Sequence, residues 1–151
     1  MNYLQDHLDR VMPRVQSNSD RYNKAAIGPN EVFELRTIIC SLPRQYGATT
    51  NIAEIFHSGS DMFVGLNLRM VKEFTNILGH NDYLYSTLNT TNDDGLRGRS
   101  KLPHIKRVFI DCSCAAFLGH SGRTKLLRRT IKMIDKALHI MGNTNAIYVV
   151  V

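Results

Sequence analysis

The sequence predicts a single α+β domain, in which one mainly antiparallel sheet packs against two to three helices and a mobile N-terminal arm precedes them. The chain has 151 residues, which is the size of one domain. Hydrophobic residues make up 43% and charged residues 21% of it, as in ordinary globular proteins. Apolar positions follow the two-residue period of strands in some segments and the helical period in others.

The arm is predicted over residues 1–30, and the globular domain over residues 31–151. Leu4, Leu8 and Val11 recur at helical spacing until Pro13 interrupts the pattern. The remainder of the arm is rich in Ser, Asn and Gly, a composition typical of flexible chain. No hydrophobic core segment of a signal peptide is present among the first residues, so the protein is expected to stay in the cytosol.

The domain is predicted to begin with a half-buried strand over residues 31–40. Its buried face would hold Phe33, Leu35, Thr37 and Ile39, and its exposed face Glu34 and Arg36. Further strands are predicted at 83–88, 105–118 and 145–151, and helices after Asn51, over 67–78 and over 122–141. The helix over 67–78 is predicted to end at Gly79 and to bury an apolar stripe of Met70, Val71, Phe74, Ile77 and Leu78. The stripe of the last helix comprises Leu127, Ile131, Ile134, Leu138 and Met141. Glycines bracket a predicted loop around Asp61, and 89–104 reads as a long polar surface loop. This order lacks repeated β-α-β units, which favours α+β over a doubly wound sheet.

Charge is distributed unevenly along the chain. Residues 1–95 hold 8 Lys and Arg against 11 Asp and Glu, a net charge of −3. Residues 96–151 hold 11 Lys and Arg against Asp111 and Asp135 alone, a net charge of +9. Such asymmetry favours nucleic acid or an anionic membrane as the partner.

The last helix carries most of this positive charge, at positions that do not belong to its apolar stripe. Because Asp135 alone opposes six cations, an anion-binding face is favoured over an ordinary solvated surface. The predicted anion-binding set comprises Arg97, Arg99, Lys101, Lys106, Arg107, Arg123, Lys125, Arg128, Arg129, Lys132 and Lys136. No aromatic residue interrupts this helix, which argues against the reading of base sequence.

Catalytic and metal-binding motifs are absent, so the chain is not expected to be an enzyme or to need a cofactor, a metal or a small-molecule substrate. It has no phosphate-binding loop, no dinucleotide fingerprint and no nucleophile elbow. His57 with Asp61 is the weaker catalytic alternative. Cys112 and Cys114 read as small apolar residues, and a metal pair with His104 or His120 is the less favoured reading because the spacing is not that of a zinc knuckle.

Over residues 31–151 the chain resembles the core of rhabdovirus matrix proteins, most of all the vesiculovirus type. The resemblance rests on the strand from Phe33 to Cys40, on the stretch from His57 through Asp61 and Met62 to Gly65, and on Phe74 with Ile77 and Leu78. It continues through Leu102-Pro103-His104 and the closing strand–helix–strand order that ends in Ala-Ile-Tyr-Val-Val.

The resemblance implies a structural protein of the virion that self-associates, binds the inner face of the membrane and condenses the nucleocapsid during budding. The implied partners are further copies of the chain, an anionic membrane, the viral nucleoprotein–RNA and host factors. The implied locations are the virion beneath the envelope, the host cytoplasm with the inner membrane face, and the nucleus. The implied self-association residues are Leu4, Leu8, Val11, Leu84, Tyr85 and Leu88. Residues 1–30 lack the basic segment and late-budding motif of animal members, which suggests a short plant- or insect-type member.

A second function is compatible with the same charge pattern. A small basic protein that binds RNA without sequence preference, such as a viral silencing suppressor, also needs only Lys and Arg near phosphates. Lipid binding and RNA binding are thus the two hypotheses that the sequence leaves open.

Overall fold

The structure is an α/β fold with a five-stranded sheet whose strands all run parallel. The computed structural model describes residues 2–22, 35–42, 47–88, 104–112, 123–140, 142 and 146–151. The described helices are α1 (Tyr3–Tyr22), α2 (Ala48–Ile55), α3 (Leu68–Leu78) and α4 (Arg123–Ile140). The strands are β1 (Thr37–Ile39), β2 (Asp61–Gly65), β3 (Leu84–Thr87), β4 (Arg107–Ile110) and β5 (Ile147–Val150), in the sheet order β1-β5-β4-β2-β3.

The predicted antiparallel α+β architecture is therefore wrong, and the main reason is β2. The sequence predicts a loop here, because Gly59 and Gly65 bracket the segment that holds Asp61, Met62 and Phe63. All five residues of β2 are buried, since the strand lies between β4 and β3 and is covered on both faces. A strand buried on both faces shows no alternation of apolar and polar residues. With β2 in place, described helices separate β1 from β2, β2 from β3 and β4 from β5, as parallel pairing requires.

Helices cover the two faces of the sheet unequally. The first three helices pack on one face, whose buried residues include Leu4, Leu8, Ile52, Phe63, Phe74 and Phe109. On the other face α4 packs alone among the described helices, over Met62, Val64, Val108, Ile110 and Tyr148. The chain thus forms three layers, helix on sheet on helix.

Strand β1 faces the opposite way from its prediction. Ile38 and Cys40 are buried, whereas Ile39 is 58% exposed and Arg36 only 7% exposed. The alternation that indicated the buried face runs from residue 33 to 37, but the strand itself is a three-residue edge strand that begins at Thr37. Because Ile38, Ile39 and Cys40 are all apolar, the sequence does not show whether the even-numbered or the odd-numbered side chains of the strand face the core.

Helices α3 and α4 agree well with the sequence pattern. Val71 and Phe74 are buried, although Ile77 of the same predicted stripe is 48% exposed. Asn67 caps α3 by accepting from the Met70 N–H at 3.1 Å. Gly79 ends the helix at φ 87°, a left-handed conformation that glycine adopts without strain. The α4 stripe is confirmed at four positions, Leu127, Ile131, Ile134 and Leu138, all buried.

Residues 3–22 of the predicted arm form α1, which continues through Pro13. Asn2 caps this helix through the Gln5 N–H and also binds α2, donating to the Asn51 carbonyl at 3.0 Å and to Glu54 at 2.8 Å. The predicted boundary of the arm at residue 30 lies outside the described residues.

Candidate functional site

The basic residues of α4 lie on the side of the helix that faces away from the sheet. The apolar stripe that includes Leu127 and Ile131 faces the core, so the residues on the opposite side of the helix face solvent. Five cationic side chains are exposed along this side, and together they are called the basic face: Lys125, Arg128, Arg129, Lys132 and Lys136. Arg123 begins the helix.

The basic face is an extended row. At a rise of ~1.5 Å per residue, Lys125 and Lys136 lie about 16 Å apart along the helix axis. Within the described part of the chain, no carboxylate forms an ion pair with Lys125, Arg129, Lys132 or Lys136. Their positive charge is therefore directed to solvent and is available to an anionic partner.

The single acid of α4, Asp135, does not face solvent with these cations. It is 6% exposed and forms an ion pair with Arg36, whose Nη2 lies 2.9 Å from its Oδ2. Arg36 also donates to the Ala146 carbonyl at 3.1 Å. The Tyr148 hydroxyl donates to Asp135 Oδ1 at 2.8 Å. This buried network joins α4 to the segments that precede β1 and β5, and it removes the one negative charge of α4 from the surface.

The network also affects the ionisation of Tyr148. Burial is the main reason that the pKa of the Tyr148 phenol lies well above its usual value near 10, and the nearby charge of Asp135 raises it further. The phenol therefore remains protonated and donates to Asp135 throughout the physiological range. His139 lies at the rim of this network, with Nδ1 3.0 Å from the Asp135 carbonyl oxygen.

The second acid of residues 96–151 is buried as well. Asp111 follows β4 at the carboxyl end of the sheet and is 0% exposed. Its Oδ2 accepts a hydrogen bond from Thr49 Oγ1, in the first turn of α2, at 2.5 Å. Both acids of the basic segment thus have internal partners, and neither offsets the cations on the surface.

The other predicted anion-binding residues are in different settings. Lys106 is exposed at the amino end of β4. Arg107 is engaged internally, because it binds Asp61 through Nε at 2.9 Å and Nη2 at 2.6 Å and also donates to the Ile55 carbonyl. Arg97, Arg99 and Lys101 lie outside the described residues.

The residues implied in self-association mostly lie in the core. Leu4 and Leu8 of α1 are buried on one face of the sheet, and Leu84 of β3 and Leu88, which follows that strand, are buried on the other. Val11 and Tyr85 are partly buried against the core that contains Leu4 and Leu8. In this conformation the four leucine side chains make contacts within the chain, and their role in self-association stays a prediction.

The catalytic alternative does not form the expected side-chain pair. The Asp61 carboxylate accepts from the His57 backbone N–H at 2.8 Å, and both its oxygens bind Arg107. Among the described residues, no group of three or more His, Cys, Asp and Glu side chains could hold a metal ion. The described helices include none that is both long and apolar enough to cross a membrane.

Sequence reasoning missed three residues that determine the charge of this surface. Arg36 was assigned to an exposed strand face, and Tyr148 and Thr49 were assigned no role. The sequence carried little signal for these pairs, because the basic segment holds 11 Lys and Arg of its own that could have paired with its two acids. Arg36 is 99 positions from Asp135, and Thr49 is 62 positions from Asp111, distances at which periodicity carries no information.

Comparisons of the chain with protein-family models, with curated proteins and with solved structures found no match.

Proposed function

We propose that this protein binds the phosphate backbone of nucleic acids through the basic face of α4, without reading base sequence. The observation that carries this proposal is the separation of charge in the C-terminal segment. Five cations of α4 are exposed in a row, whereas Asp135 and Asp111 are buried and bonded to Arg36 and Thr49. The surface of α4 is therefore positively charged, although the C-terminal segment contains residues of both charges.

The expected binding energy comes from the release of counterions. Each phosphate that a Lys or Arg neutralises releases condensed cations, so affinity falls steeply as salt rises. Four contacts from the basic face would give a slope of about −3.6 for log K against log salt on duplex nucleic acid. Affinity would then fall roughly 100-fold between about 50 mM and 200 mM salt.

Nucleic acid is favoured over a bilayer by the way α4 is packed. A helix that binds a membrane interface buries its apolar side among the lipid chains. The apolar side of α4 is already buried against the sheet, and between Lys125 and Lys136 its exposed residues are all cationic. Among the described side chains of α4, Ile140 at the helix end is the one large apolar residue of the exposed class, at 78%.

The test is a fluorescence-anisotropy titration of the full chain with a labelled nucleic acid over a series of salt concentrations. The R129Q/K132Q variant removes two adjacent charges of the basic face. It should lower the affinity roughly 50-fold near 0.1 M salt and reduce the magnitude of the salt slope by about 2. A purely structural defect would not change the slope in this way.

The matched control is R69Q/K72Q, which removes two exposed charges from α3 on the opposite face of the sheet. Its affinity should stay within about two-fold of the parent, since charges far from the contact contribute little at this salt. Equal losses for the two variants would contradict the assignment to α4. Binding to anionic vesicles with no binding to nucleic acid would overturn the proposal and favour the matrix-type function, which stays a prediction.

A further inference from the structure

We infer that the partner of the basic face is a double-stranded nucleic acid, contacted through its phosphates. This inference rests on the proposed function and specifies the class of nucleic acid. Two features of the described surface carry it: the shortage of exposed rings and the density of cations along α4.

Aromatic side chains are almost absent from the described surface. Tyr3, 41% exposed, is the one Phe or Tyr of the exposed class among the described side chains, and the chain has no Trp. Tyr3 lies on α1, on the opposite side of the sheet from the basic face. Proteins that bind single strands without sequence preference stack successive bases on aromatic rings. The basic face has no such row of rings, so unpaired bases would gain little from it.

Among the described side chains, the ring near the basic face is the imidazole of His139. It lies beyond Lys136 in the last turn of α4, and its Nδ1 is held at 3.0 Å from the Asp135 carbonyl oxygen. A single ring at the end of the row could contact one base at most. The described aromatic residues are instead concentrated beneath the other face, where Phe56, Phe74 and Tyr83 pack edge to face.

Counterion release favours a duplex as the partner of the basic face. Five cations lie within a row of about 16 Å, or one per ~3–4 Å of helix axis. A duplex offers a phosphate every ~1.7 Å of its axis and a single strand in helical form one every ~3.4 Å. When affinity comes from phosphates alone, the partner with the denser charge binds more tightly, because each contact releases more counterion.

The experiment compares labelled probes of equal length with the full chain: a duplex RNA, a duplex DNA and an unstructured homopyrimidine strand. The duplexes should bind at least about five-fold more tightly than the single strand near 0.1 M salt, with a steeper salt slope. R129Q/K132Q should weaken duplex binding much more than R69Q/K72Q does. The two duplexes together show whether A-form or B-form geometry is preferred.

The outcomes separate this inference from the proposed function. If the single strand binds as tightly as the duplexes or more so, with R129Q/K132Q still defective, the duplex inference is overturned and backbone binding by α4 stands. If no probe binds at about 50 mM salt, both fall. Duplex binding that R129Q/K132Q leaves unchanged overturns the assignment of the duplex to the basic face.

Discussion

The two faces of the sheet are stabilised in different ways. Beneath the first three helices the core is aromatic, with Phe63 stacked on Phe74 at a centroid distance of 3.9 Å and Phe56 edge-on to Phe74 at 5.0 Å. Beneath α4 the core is mainly aliphatic. On this face a buried polar network adds to the packing, in which Asp135 binds Arg36 and Tyr148.

The difference indicates how a helix can be both firmly packed and uniformly basic. Apolar packing holds either face, but the α4 face also has to accommodate Asp135, the acid of its own basic helix. Pairing Asp135 with Arg36 neutralises that acid inside the protein, so packing and surface charge do not compete. Variants that disturb the aromatic core should therefore affect stability alone, whereas variants of the basic face should affect binding alone.

The largest expected loss of stability follows from removal of an aromatic ring. Phe74→Ala should lower the free energy of unfolding by about 3–5 kcal/mol, because the ring is fully buried and contacts Phe56, Phe63 and Tyr83. Urea unfolding measures this, with Ile77→Ala of the same helix as the control, since Ile77 is 48% exposed. A loss below about 1 kcal/mol for Phe74→Ala would contradict the importance of the aromatic core.

A loss of similar or slightly smaller size is expected when the ion pair under α4 is broken. Arg36→Gln should cost about 3 kcal/mol, because it leaves the buried Asp135 carboxylate without its cation. Adding Asp135→Asn should restore part of the loss, since no uncompensated charge then remains inside. Urea unfolding of the parent, both single variants and R36Q/D135N forms the double-mutant cycle. A double variant no more stable than R36Q would count against this account.

Removal of the Tyr148 hydroxyl should have a smaller effect that depends on pH. Tyr148→Phe should cost about 1–2 kcal/mol at neutral pH, because Asp135 Oδ1 loses a buried donor. The raised pKa of Tyr148 gives stability that is complete below its usual pKa near 10 and is lost as the pH rises beyond it.

Urea unfolding above pH 10 should therefore show a shallower alkaline decline for Tyr148→Phe than for the parent. Some decline should remain, because burial also raises the pKa of Tyr83. Identical alkaline profiles for the two proteins would refute the linkage between Tyr148 and stability.

The smallest effect on stability is expected for the basic face itself. R129Q/K132Q should change the free energy of unfolding by less than about 0.5 kcal/mol, since both side chains are exposed and like charges lie nearby. The same variant is expected to lose most of its affinity for nucleic acid. Thermal or urea unfolding, run beside the binding titration, would show whether the two properties separate. A marked loss of stability would mean that these residues are structural.

The sequence alone was sufficient to predict α4 and the composition of its two sides. A stripe with spacings of three and four residues identifies Leu127, Ile131, Ile134 and Leu138 as buried, and it places the five cations of the basic face on the exposed side. The same reasoning predicted Val71, Phe74 and the glycine that ends α3. These features are local, because helical periodicity and capping depend on residues only a few positions apart.

Only the tertiary structure could establish the parallel sheet and the buried network that removes the Asp135 carboxylate from the surface of α4. The direction of a strand depends on which distant strand it pairs with, and burial on both faces removed the alternation that would have identified β2. Likewise, the sequence suggests that the negative charge of Asp135 partly neutralises the cations near it on α4. Its contact with Arg36, 99 positions away, turns it into an internal residue. The sequence thus determined which charges α4 carries, and the fold determined which of them reach the surface, because long-range pairing leaves no periodic trace in the chain.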